Sequence, residues 1–200
     1  MIAILDYGSG NLRSAQRAFE QSGHKVVVTS ERKIALSADG LVVPGVGAFA
    51  ACMKGLRGVS GDEIVRERIS LSRPTLGICV GMQILFKDGS EHSEPHPHQG
   101  CGVWGESITK LEAPVLPHMG WNTVEVGSGS ALFKGIERES FYFVHSYAAK
   151  VAVGQIQTWS FHGERFLAAV EDGPICATQF HPEKSGDAGL ALIKNWAEML

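Results

Sequence analysis

Short, unbroken apolar runs alternate with segments of helical period through the first half of the chain, and that alternation leaves few folds open. Met1 to Asp6 is an apolar run closed by Gly8-Ser9-Gly10, after which Leu12, Ala15, Ala18 and Phe19 recur at helical spacing until Gly23. Lys25 to Thr29, a short helix candidate at Glu31 to Ser37, and Leu41-Val42-Val43 ending at Pro44-Gly45 repeat the theme. Asp62 is expected to cap a helix through Ile64, Val65, Arg68 and Ile69 to Ser72. Pro74 then introduces a strand, Thr75 to Cys79, and Gly81 begins a helix through Met82, Ile84, Leu85 and Phe86. Strands without polar alternation are those buried on both faces. The expectation is an α/β fold: an open, mostly parallel sheet with helices on both faces.

The pattern changes in the second half. Lys87 to Gly102 is rich in Gly, Pro, Ser and His and reads as a long surface loop. Val103 to Leu111, Asn122 to Val126, Glu139 to Ala149, Gln155 to Phe161, Phe166 to Glu171 and Ile175 to Phe180 read as strands with short connections, many of them antiparallel. A terminal helix, Gly186 to Leu200, is expected to set Leu190, Ile193, Trp196 and Ala197 against the sheet. Two hundred residues suffice for a single domain, 1–200, with its own core.

Charge and cysteine usage exclude several classes of function. A net charge of -3 and a pI near 6.2 provide no basic footprint for nucleic acid or an anionic membrane. The N-terminus lacks the basic and apolar regions of a secretory signal, and no apolar run reaches membrane-spanning length. Cys52, Cys79, Cys101 and Cys176 form no CxxC pair, which suits a reducing cytoplasm. Between Glu91 and His98, three histidines and two acids tempt a metal reading. Prolines flanking His96 deny them a regular ligand face, so the stretch reads as a solvated loop with no metal.

Two motifs carry chemistry. Gly77-Ile78-Cys79-Val80-Gly81 puts a nucleophile between glycines where a strand turns into a helix. Small neighbours permit the tight bend, the helix N-terminus favours thiolate, and the Val80 N–H would face an oxyanion. Far downstream, a strand runs into His181-Pro182-Glu183. Residues i and i+2 of extended chain point the same way, so Glu183 can fix the tautomer of His181 and stabilise its imidazolium. Cys52, Cys101 and Cys176 lack such a setting and read as small buried residues.

Together GICVGMQ and QFHPEKS resemble the paired signatures of class I glutamine amidotransferases, which have a flavodoxin-like fold. With MIAILDYGSGNL, VVPGVGAF, PHMGWN and FYFVHSY in order, nearly the whole chain resembles the glutaminase subunits of imidazole glycerol phosphate synthases. The resemblance implies hydrolysis of L-glutamine through a thioester, with Cys79 as nucleophile, His181 as base and acid, and Glu183 as orienter. It implies oxyanion donors at Val46, Gly47 and Val80, and glutamine contacts at Gly45, Gln83, His145, Ser146 and Tyr147. Val80 stands where leucine is usual, which leaves its N–H unaffected. No cofactor is implied. The implied partner is a separate TIM-barrel cyclase subunit, bound as a heterodimer through Asn11, Trp121, Asn122 and Lys184. Gly45 and Gly47 permit a peptide orientation in which the Val46 donor is turned away until that partner binds. Alternatives at this point are the glutaminase subunit of another synthase, of anthranilate or pyridoxal phosphate type, a cysteine peptidase or esterase, and a non-catalytic binding module.

Overall fold

The computed structural model describes residues 1–92 and 96–200. Its first half follows the expected alternation: β1 (Ile2–Leu5), α1 (Leu12–Glu20), β2 (Val26–Thr29), α2 (Arg32–Ser37), β3 (Gly40–Gly45), α3 (Phe49–Gly58), α4 (Gly61–Ser70), β4 (Thr75–Cys79) and α5 (Val80–Gln83). The second half continues with β5 (Phe86–Gly89), β6 (His98–Gln99), β7 (Trp104–Lys110), β8 (His118–Thr123), β9 (Ser140–His145), β10 (Tyr147–Ala148), β11 (Ile156–His162), β12 (Glu164–Asp172) and β13 (Ile175–Thr178). A 3-10 turn, Pro182–Lys184, and α6 (Gly186–Ala197) complete the chain.

The main sheet has seven strands in the order β11-β12-β13-β4-β3-β1-β2. From β13 to β2 every pairing is parallel, and β12 and β11 join antiparallel. β1, β3, β4 and β13 are buried at every residue, as strands covered on both faces must be. Right-handed crossovers from β1 to β2 and from β2 back past β1 to β3 and β4 run in opposite directions, which sends their helices to opposite faces. α1 packs with α6 on one side, where Phe19 meets Trp196 edge to face at 5.7 Å, while α2 and α3 both pack with α4. Two small sheets flank this core: β10-β7-β5-β6 and the antiparallel pair β8-β9.

Several boundaries differ from the sequence reading. The helix expected from Gly81 through Phe86 stops at Gln83, and Phe86 opens β5. Ile84, Leu85 and Phe86 are all fully buried, so this run is apolar on every side and never had the one-sided pattern of a surface helix. The expected loop from Lys87 accordingly starts as β5, beside β7, and returns as β6. Ser93, Glu94 and Pro95 of the His-rich stretch lie outside the described residues. The strand expected at Asn122 to Val126 pairs earlier, at His118–Thr123, leaving Glu125 in an isolated bridge to Trp159. α3 went unread, although Phe49, Cys52, Met53 and Leu56 bury one helical stripe. Asp62 is not the cap of α4: Ser60 precedes the helix, and Asp62 pairs with Arg66 within its first turn, at 2.9 Å. In α6, Leu192 joins Ile193, Trp196 and Ala197 in the core, and Leu190 is only partly covered.

Candidate active site

Cys79 is the last residue of β4 and has φ 56° and ψ -114°, a backbone conformation that residues with a side chain rarely adopt. The flanking glycines show why the bend is possible. A Cβ on Gly81 would lie 1.8 Å from the Val43 carbonyl oxygen, and one on Gly77 would lie 2.8 Å from that of Gly81. Gly45, paired with Cys79 across β3 and β4, would carry a Cβ only 2.5 Å from the Gly81 nitrogen. Three glycines thus let β3, β4 and α5 meet at backbone contact and push the thiol out of the sheet.

β13 lies beside β4, and the chain leaving it delivers the other two residues. His181 Nδ1 and Glu183 Oε1 are 2.8 Å apart, with both side chains almost fully buried. Burial alone would favour a neutral imidazole. The hydrogen bonds and charges of Cys79 and Glu183 outweigh it and push His181 up to about 10. The ring is therefore held between the sulfur and the carboxylate, although Glu183 reaches it from the 3-10 turn Pro182–Lys184 and not from the extended segment on which the spacing argument rests. Ser185 Oγ donates to the His181 carbonyl at 2.7 Å, tying down the turn that carries Glu183.

Cys79 and His181 border a cavity of about 280 Å³ whose walls also include Val46, Gly47, Val80, Lys184, Gln83, His145, Ser146 and Tyr147, while Glu183 stands behind His181 and Gly45 is not part of the lining. The cavity brings together most of the residues singled out in the sequence, but it changes the part that several can play. The Val46 N–H donates to Ser9 Oγ at 3.0 Å, and the same hydroxyl donates back to the Val46 carbonyl at 2.9 Å. Cys52 Sγ donates to that carbonyl as well, at 3.3 Å. The donor expected at Val46 is thus occupied in this conformation. Gly47 follows at φ 85° with open space around its Cα.

Gln83 and His145 were read as substrate contacts, yet their polar atoms are largely spent inside the protein. Gln83 Nε2 donates to the Tyr147 carbonyl at 2.8 Å and to Gln179 Oε1 at 3.0 Å, leaving Oε1 for a ligand. His145 has one ring nitrogen 3.1 Å from the Tyr147 carbonyl and the other 3.1 Å from His118 Nδ1. Two residues were missed. Gln179 is fully buried and its Nε2 reaches Cys79 Sγ at 3.8 Å; its alternation with His181 and Glu183 in sequence was the available signal. Glu91 borders the cavity and accepts from the Phe49 N–H at 2.9 Å, a role hidden by the polar composition around it.

Of the expected partner residues, only Lys184 lines the cavity. Trp121 is 60% exposed and packs edge to face with Tyr142, and Lys184 is exposed at the cavity rim. Asn11 is exposed and its Oδ1 caps α1 at the Ser14 N–H. Asn122 is committed inward: its Nδ2 donates to the Phe161 carbonyl at 3.0 Å, and its Oδ1 accepts from the Thr123 N–H.

Residues 3–199 match the family model described as Glutamine amidotransferase class-I. The chain is 60% identical to the imidazole glycerol phosphate synthase subunit HisH of Mycolicibacterium paratuberculosis, over all of this chain and 98% of that protein. It is 54% identical to the protein of the same name from Corynebacterium diphtheriae, over 100% and 99%. Among solved structures, a glutamine amidotransferase superposes with a TM-score of 0.76 at 18% identity, covering 98% of each chain, which speaks for the fold alone.

Proposed function

The chain belongs to the class I glutamine amidotransferase family, and on that premise we propose that it is the glutaminase subunit of imidazole glycerol phosphate synthase in histidine biosynthesis, its 200 residues acting as one domain in the cytoplasm. The observation that carries this reading is the strained Cys79 elbow sharing one cavity with His181, whose far ring nitrogen is held by the buried Glu183.

In the proposed reaction, Cys79 Sγ attacks the side-chain amide carbon of L-glutamine while His181 holds the thiol proton. The Val80 N–H stabilises the oxyanion. His181 gives its proton to the departing nitrogen, the C–N bond breaks, and a thioester remains. Water then attacks the thioester, His181 takes its proton and returns it to sulfur, and glutamate leaves. Glu183 keeps the imidazole in the required tautomer throughout. Glu91, Gln83 Oε1 and the Ser146–Tyr147 backbone offer a carboxylate and polar groups for the amino acid end of the substrate. Val46 becomes a second oxyanion donor only if its peptide turns away from Ser9.

The ammonia passes to a TIM-barrel cyclase subunit, bound as a heterodimer over the exposed Trp121 and Lys184, which makes imidazole glycerol phosphate and AICAR. The test is Cys79→Ala in the assembled enzyme. Glutamine-dependent synthesis should vanish while ammonium-dependent synthesis continues, because the nucleophile serves only to release ammonia. Retained glutamine hydrolysis would remove Cys79 from its role.

A further inference from the structure

A pair of histidines, His118 and His145, lies beside the triad, and the reaction just described makes no use of it. His118, on β8, is only 4% exposed, and its ring is stacked between Phe143 at 4.8 Å and His162 at 4.3 Å. His162 is itself tied, donating from Nε2 to the Val115 carbonyl at 2.7 Å. With both faces covered, the His118 ring has no freedom to flip.

Its hydrogen bonds have a forced direction. Asn122 Oδ1 accepts from the Thr123 N–H, so Nδ2 is the donor, to the Phe161 carbonyl and to His118 Nε2 at 3.2 Å. His118 Nε2 is therefore an acceptor and its proton sits on Nδ1. That Nδ1–H donates across 3.1 Å to His145 Nε2. The His145 proton must then be on Nδ1, from which it donates to the Tyr147 carbonyl at 3.1 Å. The same carbonyl receives Gln83, which holds Gln179, which reaches Cys79. A charged ring anywhere in this series would set two donors face to face. Burial keeps both rings neutral, lowering His118 to about 4 and His145 to about 3.

Resting on the glutaminase reading, we infer that His118 is a positioning residue of the glutamine pocket: its Nδ1–H fixes the tautomer of His145, and His145 in turn holds the Tyr147 carbonyl to which Gln83 is tied. The segment from His145 to Tyr147, which faces the amino acid end of the substrate, is thus preorganised from β8 and not by the substrate itself. The effect falls on binding more than on the covalent step, because His145 to Tyr147 line the cavity directly while Cys79 is reached only through Gln83 and Gln179, the last contact being 3.8 Å.

The experiment compares His118→Phe, which keeps the stack and removes the donor, with His118→Asn, whose amide can stand near Nδ1, in the assembled enzyme. One lost hydrogen bond in a buried series predicts about a tenfold rise in KM for glutamine in His118→Phe, with kcat changed by less than about threefold. Partial recovery of KM is expected in His118→Asn, with ammonium-dependent synthesis unchanged in both. Unchanged KM in His118→Phe, a kcat loss equal to the KM effect, or no recovery with Asn overturns the inference. Nitrogen-15 NMR of the wild-type rings is independent of how the variants fold: protonated Nδ1 on both His118 and His145 is required, and a proton on His145 Nε2 refutes it. Absence of glutamine hydrolysis by the wild-type complex would instead refute the glutaminase reading, and the NMR result would still decide the tautomers.

Discussion

Gly81→Ala should disable glutamine hydrolysis while leaving most of the fold standing. The added methyl would sit 1.8 Å from the Val43 carbonyl oxygen, 2.9 Å from its carbon and 3.1 Å from the Pro44 carbonyl carbon, all backbone of β3. Ordinary contact begins near 3.4 Å, so α5 and β3 must part by roughly 1.6 Å, and no flexible side chain can absorb the movement. Overpacking of this kind costs about 1–3 kcal/mol, or several degrees of Tm at this chain length. The gain in helix propensity from Gly to Ala, at most about 1 kcal/mol, does not offset it. The larger effect is on chemistry. Cys79 is two residues away and directly paired with Gly45, and displacement by about 1 Å can cost roughly a hundredfold in rate. Stopped or steady-state glutaminase assays of the complex should show kcat/KM down by about two orders of magnitude, with ammonium-dependent synthesis retained. Gly105→Ala, where the new methyl meets nothing within 4 Å, is the control and should match the wild type. Near-normal kcat/KM in a folded Gly81→Ala protein would show that the elbow tolerates separation from β3 and would refute the argument.

Stability should fall in acid with His145 as a main contributor: its folded value of about 3 lies below the ordinary 6.5, so the unfolded chain binds more protons between them. That contribution is complete above about 6.5, is lost as pH drops toward 3, and amounts to on the order of 5 kcal/mol, so Tm should decline over this range and decline less in His145→Asn. His181 is shifted the other way, giving stability that is whole below 6.5 and lost as pH rises to about 10, so His181→Ala should flatten the alkaline limb of the Tm profile; a wild-type profile flat on both sides contradicts both assignments. Ser9→Ala removes the hydroxyl that holds both the N–H and the carbonyl of Val46, in two successive peptides, and the unstimulated glutaminase rate of the isolated subunit should rise about 3- to 10-fold, the value of one hydrogen bond. An unchanged or lower basal rate would mean that Ser9 does not restrain the oxyanion segment.

The grouping of Cys79, His181 and Glu183 was legible because its grammar is local. A glycine on either side of Cys79 announces a bend, and the closeness of His181 and Glu183 in sequence announces that they can meet, although they do so across a 3-10 turn at Pro182–Lys184 and not along the extended segment the spacing suggests. The parallel strands were legible for a similar reason, since β1, β3 and β4 are apolar without alternation. What escaped depends on distant partners. Ile84 to Phe86 could be helix or strand by composition, and β7 decided the matter by pairing with Phe86 at Trp104. His118 looked like an unassigned letter of a motif; its burial comes from Phe143 and His162, on strands well removed in sequence. Likewise, nothing near Val46 in sequence foretells that Ser9 occupies its N–H. The oxyanion donor could be named from resemblance, but not its state.

The position of β13 between β12 and β4 has a consequence for biosynthesis of the chain. β1 to β4 can pair among themselves as soon as they emerge, in the order β2-β1-β3-β4, but the outer edge of β4 has no neighbour until Ile175–Thr178 arrives. At roughly 5–20 residues per second, that interval lasts about 5–20 s. Throughout it the strand Thr75–Cys79, buried at every residue in the finished protein, presents a bare hydrogen-bonding edge that ends in the Cys79 thiol. The growing chain is therefore most exposed to sticking and to thiol damage during the same seconds in which it lacks His181 and is catalytically silent.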